Sequence, residues 1–173
     1  MASRPAAGFT LIELLVTIGI AAILLMLALP SFTDAIRNNR VTTSANQMMA
    51  TLNFARAEAM RSKNSAHVCP SNANGTACGD EWKDGILVWV DENGKGFEAT
   101  EIRRVIEAQK GIDFKMETIV GKEIVFDDRG RVLGRKSYDF ALQAAVCKPG
   151  AKTRRNFSIS RVGRVVLTRG DCQ

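Results

Sequence analysis

From Phe9 to Leu29 the chain is apolar for 21 residues, interrupted by Thr10, Glu13, Thr17 and Gly19. As a helix at ~1.5 Å per residue this run is about 31 Å long, the thickness of a hydrocarbon core of about 30 Å. A helix that is apolar on every face has no side to turn toward water. After Pro30 the pattern changes. Residues 31–63 hold no further proline and no glycine, and Val41, Ala45, Met48, Leu52, Ala55 and Ala59 recur at alternating spacings of four and three. Those spacings place them on one face of a helix, while Arg37, Arg40, Arg56, Glu58, Arg61 and Lys63 mostly lie off it. The pattern predicts one long helix over roughly residues 9–63, about 80 Å at ~1.5 Å per residue. Pro30 should kink it, because proline removes a hydrogen bond and clashes with the preceding turn. A stripe shorter than three heptads points to packing on the chain's own sheet rather than to a coiled coil.

Beyond Asn64 the periodicity shortens. Ile86–Val90 is a compact apolar run, and Asp91-Glu-Asn-Gly-Lys-Gly96 is a turn. Glu101–Glu107, Ile112–Ile119 and Glu123–Phe126 read as strands, followed by a turn at Asp128–Gly130. Tyr138–Cys147 and a hairpin-like pair, Asn156–Ser160 and Arg164–Arg169 around Gly163, complete an antiparallel set. The expected fold class is α+β, a long N-terminal helix packed on one or two antiparallel sheets. A chain of 173 residues suffices for one membrane segment and one modest globular head. No internal repeat or low-complexity tract interrupts it.

Charge changes this picture at one end. The net charge is +6, but residues 1–128 are net acidic and residues 129–173 hold 11 Lys/Arg against only Asp139 and Asp171. Such asymmetry suits an anionic partner (nucleic acid, lipid headgroups or an acidic protein surface) or simply a solvated basic face. The four cysteines, Cys69, Cys78, Cys147 and Cys172, lack the close CxxC pairs of structural zinc sites. With His67 the one histidine, a Cys/His metal cluster is not expected. Two disulfides in an oxidising compartment fit better. Of three connectivities, proximity favours Cys69–Cys78 and Cys147–Cys172, the second tying down the C-terminal tail.

Glu13 is the anomaly. An ionised carboxylate inside a spanning helix costs about 2.5–3.5 kcal/mol and calls for a partner. A secretory signal would place a small-residue cleavage site after its apolar region, whereas Gly8 lies before it. Gly8-Phe9-Thr10-Leu11-Ile12-Glu13-Leu14, with Pro30 further on, resembles the class III prepilin signature of type IV pilins and type II secretion pseudopilins. The resemblance implies that a prepilin peptidase cuts after Gly8 and that Phe9 becomes the N-methylated first residue. It also implies that Glu13 pairs with the first-residue amine of an adjacent subunit. Each slip of register would then leave a charge unpaired, so the carboxylate acts in docking.

Further along, Leu52-Asn-Phe-Ala-Arg-Ala-Glu-Ala59 is similar to the LxxARSEA stretch of the FimT/FimU and GspH minor pilins. The order of Cys69, Cys78, Trp82, Gly85, the Val90-Asp91 turn and Ile124-Val-Phe-Asp-Asp-Arg-Gly130 is similar too. The resemblance implies a leader at residues 1–8, a transmembrane assembly helix at 9–30, an amphipathic half at 31–63 and a disulfide-bonded β-rich head at 64–173. It implies a bacterial inner-membrane protein with one span and a periplasmic head, incorporated into a pilus and working in assembly initiation or the tip complex. Its partners would be other minor and major pilins, the prepilin peptidase and the inner-membrane assembly platform. A type II secretion pseudopilin has the same architecture. DNA uptake is a further alternative, since FimT-type DNA binders carry a C-terminal GRxR motif. Here Gly163-Arg164-Val165-Val166 lacks its second arginine. The candidate anion-binding residues are Lys148, Lys152, Arg154, Arg155, Arg161, Arg164 and Arg169, because phosphate contacts need cations more than an exact motif.

Enzymatic chemistry finds no anchor in the sequence. There is no P-loop and no GxGxxG fingerprint, and a nucleophile–histidine site would have to use His67, which reads as part of a Ser/Asn-rich loop. No cofactor is expected. Asp91–Gly96 resembles half of a calcium loop but lacks the closing glutamate at the EF-hand spacing, so a glycine turn is the better reading.

Overall fold

Helix α1 runs Leu11–Ser62 in a computed structural model that describes residues 8–116 and 122–172, with the side chains of 27–31 also outside the description. Residues 1–7 of the expected leader, the kink expected at Pro30 and the end of the strand expected to reach Ile119 therefore lie outside the described residues. The helix stops where Lys63 turns left-handed at φ 58°, a frequent way for a helix to end. The chain divides into two compact units, residues 1–37 and 38–173.

Among the described residues of the second unit eight strands follow the helix. They are β1 (Ser65–Pro70), β2 (Gly85–Asp91), β3 (Ile102–Glu107), β4 (Ile112–Lys115), β5 (Ile124–Phe126), β6 (Tyr138–Ala144), β7 (Arg154–Ile159) and β8 (Val165–Gly170). They form two four-stranded sheets, ordered β3-β2-β1-β5 and β4-β6-β7-β8. Every pairing is antiparallel. The architecture is α+β, a long helix packed on two antiparallel sheets.

The stripe read from the sequence is the packed face: Val41, Ala45, Met48, Leu52, Ala55 and Ala59 are each 0 % exposed. They share one core with Val68, Val88 and Phe126 of the first sheet and Phe140, Phe157 and Ile159 of the second. Burying large aliphatic and aromatic side chains at ~25 cal/mol per Å² is the main term holding such a head together. Small alanines at 45, 55 and 59 let the sheets approach the helix closely.

Two disulfides close the loops. Cys69 is bonded to Cys78 and Cys147 to Cys172, with Cα atoms 5.7 Å apart in each. The second joins the segment after β6 to the segment after β8. One turn is fixed by contact rather than by covalent chemistry. Gly163 has φ +76°, and a Cβ there would lie 2.0 Å from the Gly130 carbonyl oxygen. Only glycine fits that position. Arg56 holds the same two turns to α1, donating from Nε to Gly130 O at 2.9 Å and from a terminal nitrogen to Val162 O at 3.3 Å.

Three strand expectations change. The strand expected over Tyr138–Cys147 ends at Ala144, where Ala145 N–H turns to the Gly111 carbonyl. The strand expected from Ile112 is observed to Lys115. The segment around His67, read as loop, is β1, which pairs with both β2 and β5.

Candidate functional site

The described part of the first unit starts at Gly8 and Phe9. Gly8 is exposed, and nothing lies within 4 Å of where its Cβ would be. Phe9 is 82 % exposed. Both residues that flank the Gly8–Phe9 bond are thus exposed among the described residues. Thr10 precedes the first helical residue, and its hydroxyl accepts the Glu13 backbone N–H at 3.3 Å. Thr10-x-x-Glu13 is a capping-box sequence with Glu13 at the third helical position. A carboxylate in the first turn also complements the positive end of the helix dipole. Glu13 therefore has a local reason to stand where it does, beside the intersubunit pairing implied by resemblance. The signal was present in the sequence as T-x-x-E.

From Leu11 to Met26 every large apolar side chain is exposed, from 53 % at Val16 to 78 % at Leu11. Among the described residues no helix is long and apolar enough to cross a membrane. The apolar run that continues to Leu29 in the sequence is described with side chains only to Met26. A surface of this size and composition needs a cover, lipid or protein.

The basic residues of the second unit do not form one patch. Arg161 and Arg164 sit exposed at the β7–β8 hairpin, which is closed by Ser160 N–H to Arg164 O at 2.9 Å and Gly163 N–H to Ser160 O at 2.8 Å. Lys148, Lys152, Arg154 and Arg169 belong to the opposite end of those strands, separated by about 15–20 Å of extended chain. Arg155 leaves the set altogether: it is 4 % exposed. Its guanidinium donates to Asn38 Oδ1 at 3.1 Å, Thr42 Oγ1 at 2.9 Å and the Lys152 carbonyl at 3.3 Å. Burial, with the Arg169 charge second, holds its pKa below the usual arginine range. Arg155 faces the helix because β7 alternates, carrying Arg155, Phe157 and Ile159 on the buried face. It clamps β7 to α1 and is not presented to an anion.

The other face of that sheet carries an open groove of about 470 Å³, lined among others by Asp139, Arg154, Asn156, Ser158, Thr168 and Asp171. Arg154 Nε donates to Asn156 Oδ1 at 2.9 Å. Charges of both signs line it, so it does not extend the basic surface.

His67 is more engaged than its sequence context suggested. Nε2 lies 3.0 Å from Ser65 Oγ, Nδ1 lies 2.8 Å from Glu123 Oε1, and the ring stacks on Trp89 at 3.9 Å between centroids. Both ring nitrogens are occupied, and the histidine fastens β1 to the residue before β5. Glu123 is 56 positions away in sequence, so no local pattern could reveal it. Glu123 also approaches the sulfurs of Cys69 and Cys78, but those sulfurs are bonded to each other.

Comparison with known families decides the lineage. Residues 44–163 match the family described as Type II transport protein GspH, which is more than half of the chain. The chain belongs to the GspH family. Residues 3–29 match the prokaryotic N-terminal methylation motif, which covers the Gly8–Glu13 signature. No curated protein matches. Among solved structures the fold is that of the type IV minor pilin FimU of Pseudomonas aeruginosa PAO1. One crystal form of FimU gives 20 % identity and a TM-score of 0.59, covering 78 % of this chain and 96 % of that one. A second form gives 20 % identity and a TM-score of 0.56, covering 76 % and 99 %. The GspH-family chain is thus a pilin-like protein of the minor pilin and pseudopilin group. Its family and fold are those of structural pilins, not of enzymes.

Proposed function

We propose that this protein is a minor pilin of a type IV pilus, processed by prepilin peptidase and working in pilus initiation or the tip complex. The observation that supports it most is the exposed apolar helix from Leu11 to Met26, which begins on the Thr10–Glu13 cap directly behind the exposed Gly8 and Phe9. Residues 1–8 act as the leader, 9–30 as the inner-membrane span and assembly helix, 31–63 as the amphipathic half, and 64–173 as the periplasmic head. Before assembly lipid covers the apolar helix; in the filament neighbouring pilins do. Cleavage gives Phe9 a free amine, and Glu13 pairs with the equivalent amine of an adjacent subunit, which sets register.

The test follows processing and incorporation separately. Gly8→Val should leave the leader attached. Glu13→Ala should be cleaved and inserted normally but should fall out of sheared filaments. Normal incorporation of Glu13→Ala would contradict the docking role.

A second reading rests on the family description, type II transport: the protein is a pseudopilin of a secretion system. Deleting the gene separates the two. Loss of surface pili and twitching with secretion intact supports the first, and loss of exoprotein release with pili intact supports the second.

A further inference from the structure

Cations from three separate stretches of chain meet at the end of the head where α1 enters it. The second unit begins at Asn38. Asn38 and Thr42 accept the Arg155 guanidinium, which also donates to the Lys152 carbonyl, so the β6–β7 loop is drawn to the first turns of the helix in this unit. The β3–β4 turn comes to the same place. A Cβ on Gly111 would lie 3.9 Å from a terminal nitrogen of Arg40, and the Gly111 carbonyl accepts the Ala145 N–H at 3.0 Å. An open hollow of about 360 Å³ lies there, lined among others by Arg40, Thr43, Lys110 and Ile112.

The β6–β7 loop is held at this end by the Cys147–Cys172 disulfide and by the Cys172 N–H, which donates to the Ala151 carbonyl at 2.9 Å. Arg40, Lys110, Lys148 and Lys152 are all exposed. Val146, in the same loop, is 64 % exposed. Neighbouring carboxylates do not cancel the set. Among the described residues Asp34 pairs with Arg37 at 3.5 Å and Asp113 with Lys115 at 2.8 Å, and Glu107 and Asp171 stand against the four cations.

Basic charge beside an exposed apolar side chain is the combination by which a surface rests on an anionic bilayer. The place of this end in the chain favours lipid over other anions. Leu29 closes the apolar run and Asn38 follows nine residues later, a reach of at most about 30 Å. Phe32 and Ile36, between them, are exposed. The hairpin cations Arg161 and Arg164 lie at the other end of β7 and β8, away from that tether.

We propose that the entry end of the head lies on the phosphate headgroups of an anionic bilayer before the subunit joins a filament. Arg40, Lys110, Lys148 and Lys152 make the contact, with Val146 among them. This rests on residues 9–30 being the span. Each cation held at an anionic surface multiplies the docked population about fivefold. The attraction fades beyond a Debye length, ~8 Å at physiological salt and ~3 Å at 1 M.

The test uses the full chain in nanodiscs of phosphatidylcholine, with and without phosphatidylglycerol, followed by amide exchange. At roughly physiological salt, exchange at residues 108–111 and 145–153 should be about fivefold or more slower on the anionic discs. The hairpin at 161–164 should exchange alike on both. Raising the salt to about 1 M, or combining Arg40→Gln, Lys110→Gln and Lys152→Gln, should abolish the difference. The salt arm needs no variant and decides the matter if the triple variant does not fold. Equal protection on neutral discs, or protection that survives salt, overturns the proposal. So does a DNA duplex that protects the same segments on neutral discs as well as the anionic lipid does. Release of the chain from vesicles by alkaline carbonate overturns the span reading and this proposal with it. A chain that stays inserted without lipid-dependent protection overturns the proposal alone.

Discussion

The two halves of α1 bury their apolar residues in different places. Between Leu11 and Met26 the apolar residues go all round the helix and all are exposed. Between Val41 and Ala59 they form one stripe, and all six are fully buried against the sheets. One half has its partners inside the chain and the other must find them outside. The distribution of apolar residues around the helix, more than their number, separates a folding surface from an assembly surface.

The largest effect should come from breaking the buried stripe. Leu52→Ala removes a fully buried side chain beneath both sheets and should cost about 2–5 kcal/mol. For a chain of this size the Tm should fall by about 10 °C. Leu15→Ala, the same substitution on the exposed half, should leave the Tm of the head unchanged while reducing recovery in filaments. Equal losses of Tm would erase the distinction between the halves.

The clamp at Arg155 sharpens the comparison from the polar side. The head end of the helix is held by an arginine that bonds to Asn38 and Thr42. Arg155→Ala removes the buried donors and leaves those groups to find water, at about 1–3 kcal/mol. Denaturant unfolding should show it. In contrast, Arg164→Ala at the hairpin should move stability by less than about 0.5 kcal/mol, as for an ordinary surface change.

The helix and its stripe were legible because a 3.6-residue period runs through six positions without interruption. The inward turn of Arg155 was legible too, since Arg155, Phe157 and Ile159 alternate along one strand, but its charge drew attention to an anionic partner instead. β1 was hidden by its own residues. Ser-Ala-His-Val-Cys-Pro has weak strand propensity, and it becomes a strand because β2 and β5 pair with it on both sides. The division of the basic tail could not be seen in linear order, because a hairpin carries residues close in sequence to opposite ends.

Acid should distinguish the halves next. Asp127 organises the turn before Val132, accepting the Arg129 and Arg131 N–H groups on Oδ1 at 3.0 and 2.8 Å and pairing with Arg131 at 2.9 Å. Burial alone would raise its pKa, but the Arg131 and Arg129 hydrogen bonds and the Arg131 charge outweigh it, and the net shift is downward. A carboxylate with a depressed folded-state pKa contributes stability above its unfolded value of about 3.9, lost as pH falls through the folded pKa. Glu58 is shifted the same way by its bond to Arg61. The head should therefore lose stability below about pH 4, and Asp127→Asn should flatten that loss. An unchanged acid limb in Asp127→Asn would remove Asp127 from the account.

The smallest effect belongs to the first turn of the exposed half. Thr10→Ala deletes the hydroxyl that accepts the Glu13 N–H, a change worth about 0.5–2 kcal/mol at a helix N-terminus. Because that turn and the head belong to different compact units, the Tm of the head should not move, and the loss should appear as fraying in amide exchange at residues 11–14. Glu13→Gln tests the other half of the box. It keeps a group able to hydrogen-bond at the third helical position but removes the charge that favours the positive helix end. If Glu13 served only the cap, Thr10→Ala and Glu13→Gln would reduce filament incorporation alike. If its charge pairs with a neighbouring amine, Glu13→Gln should fail in filaments while Thr10→Ala, whose carboxylate is intact, still assembles.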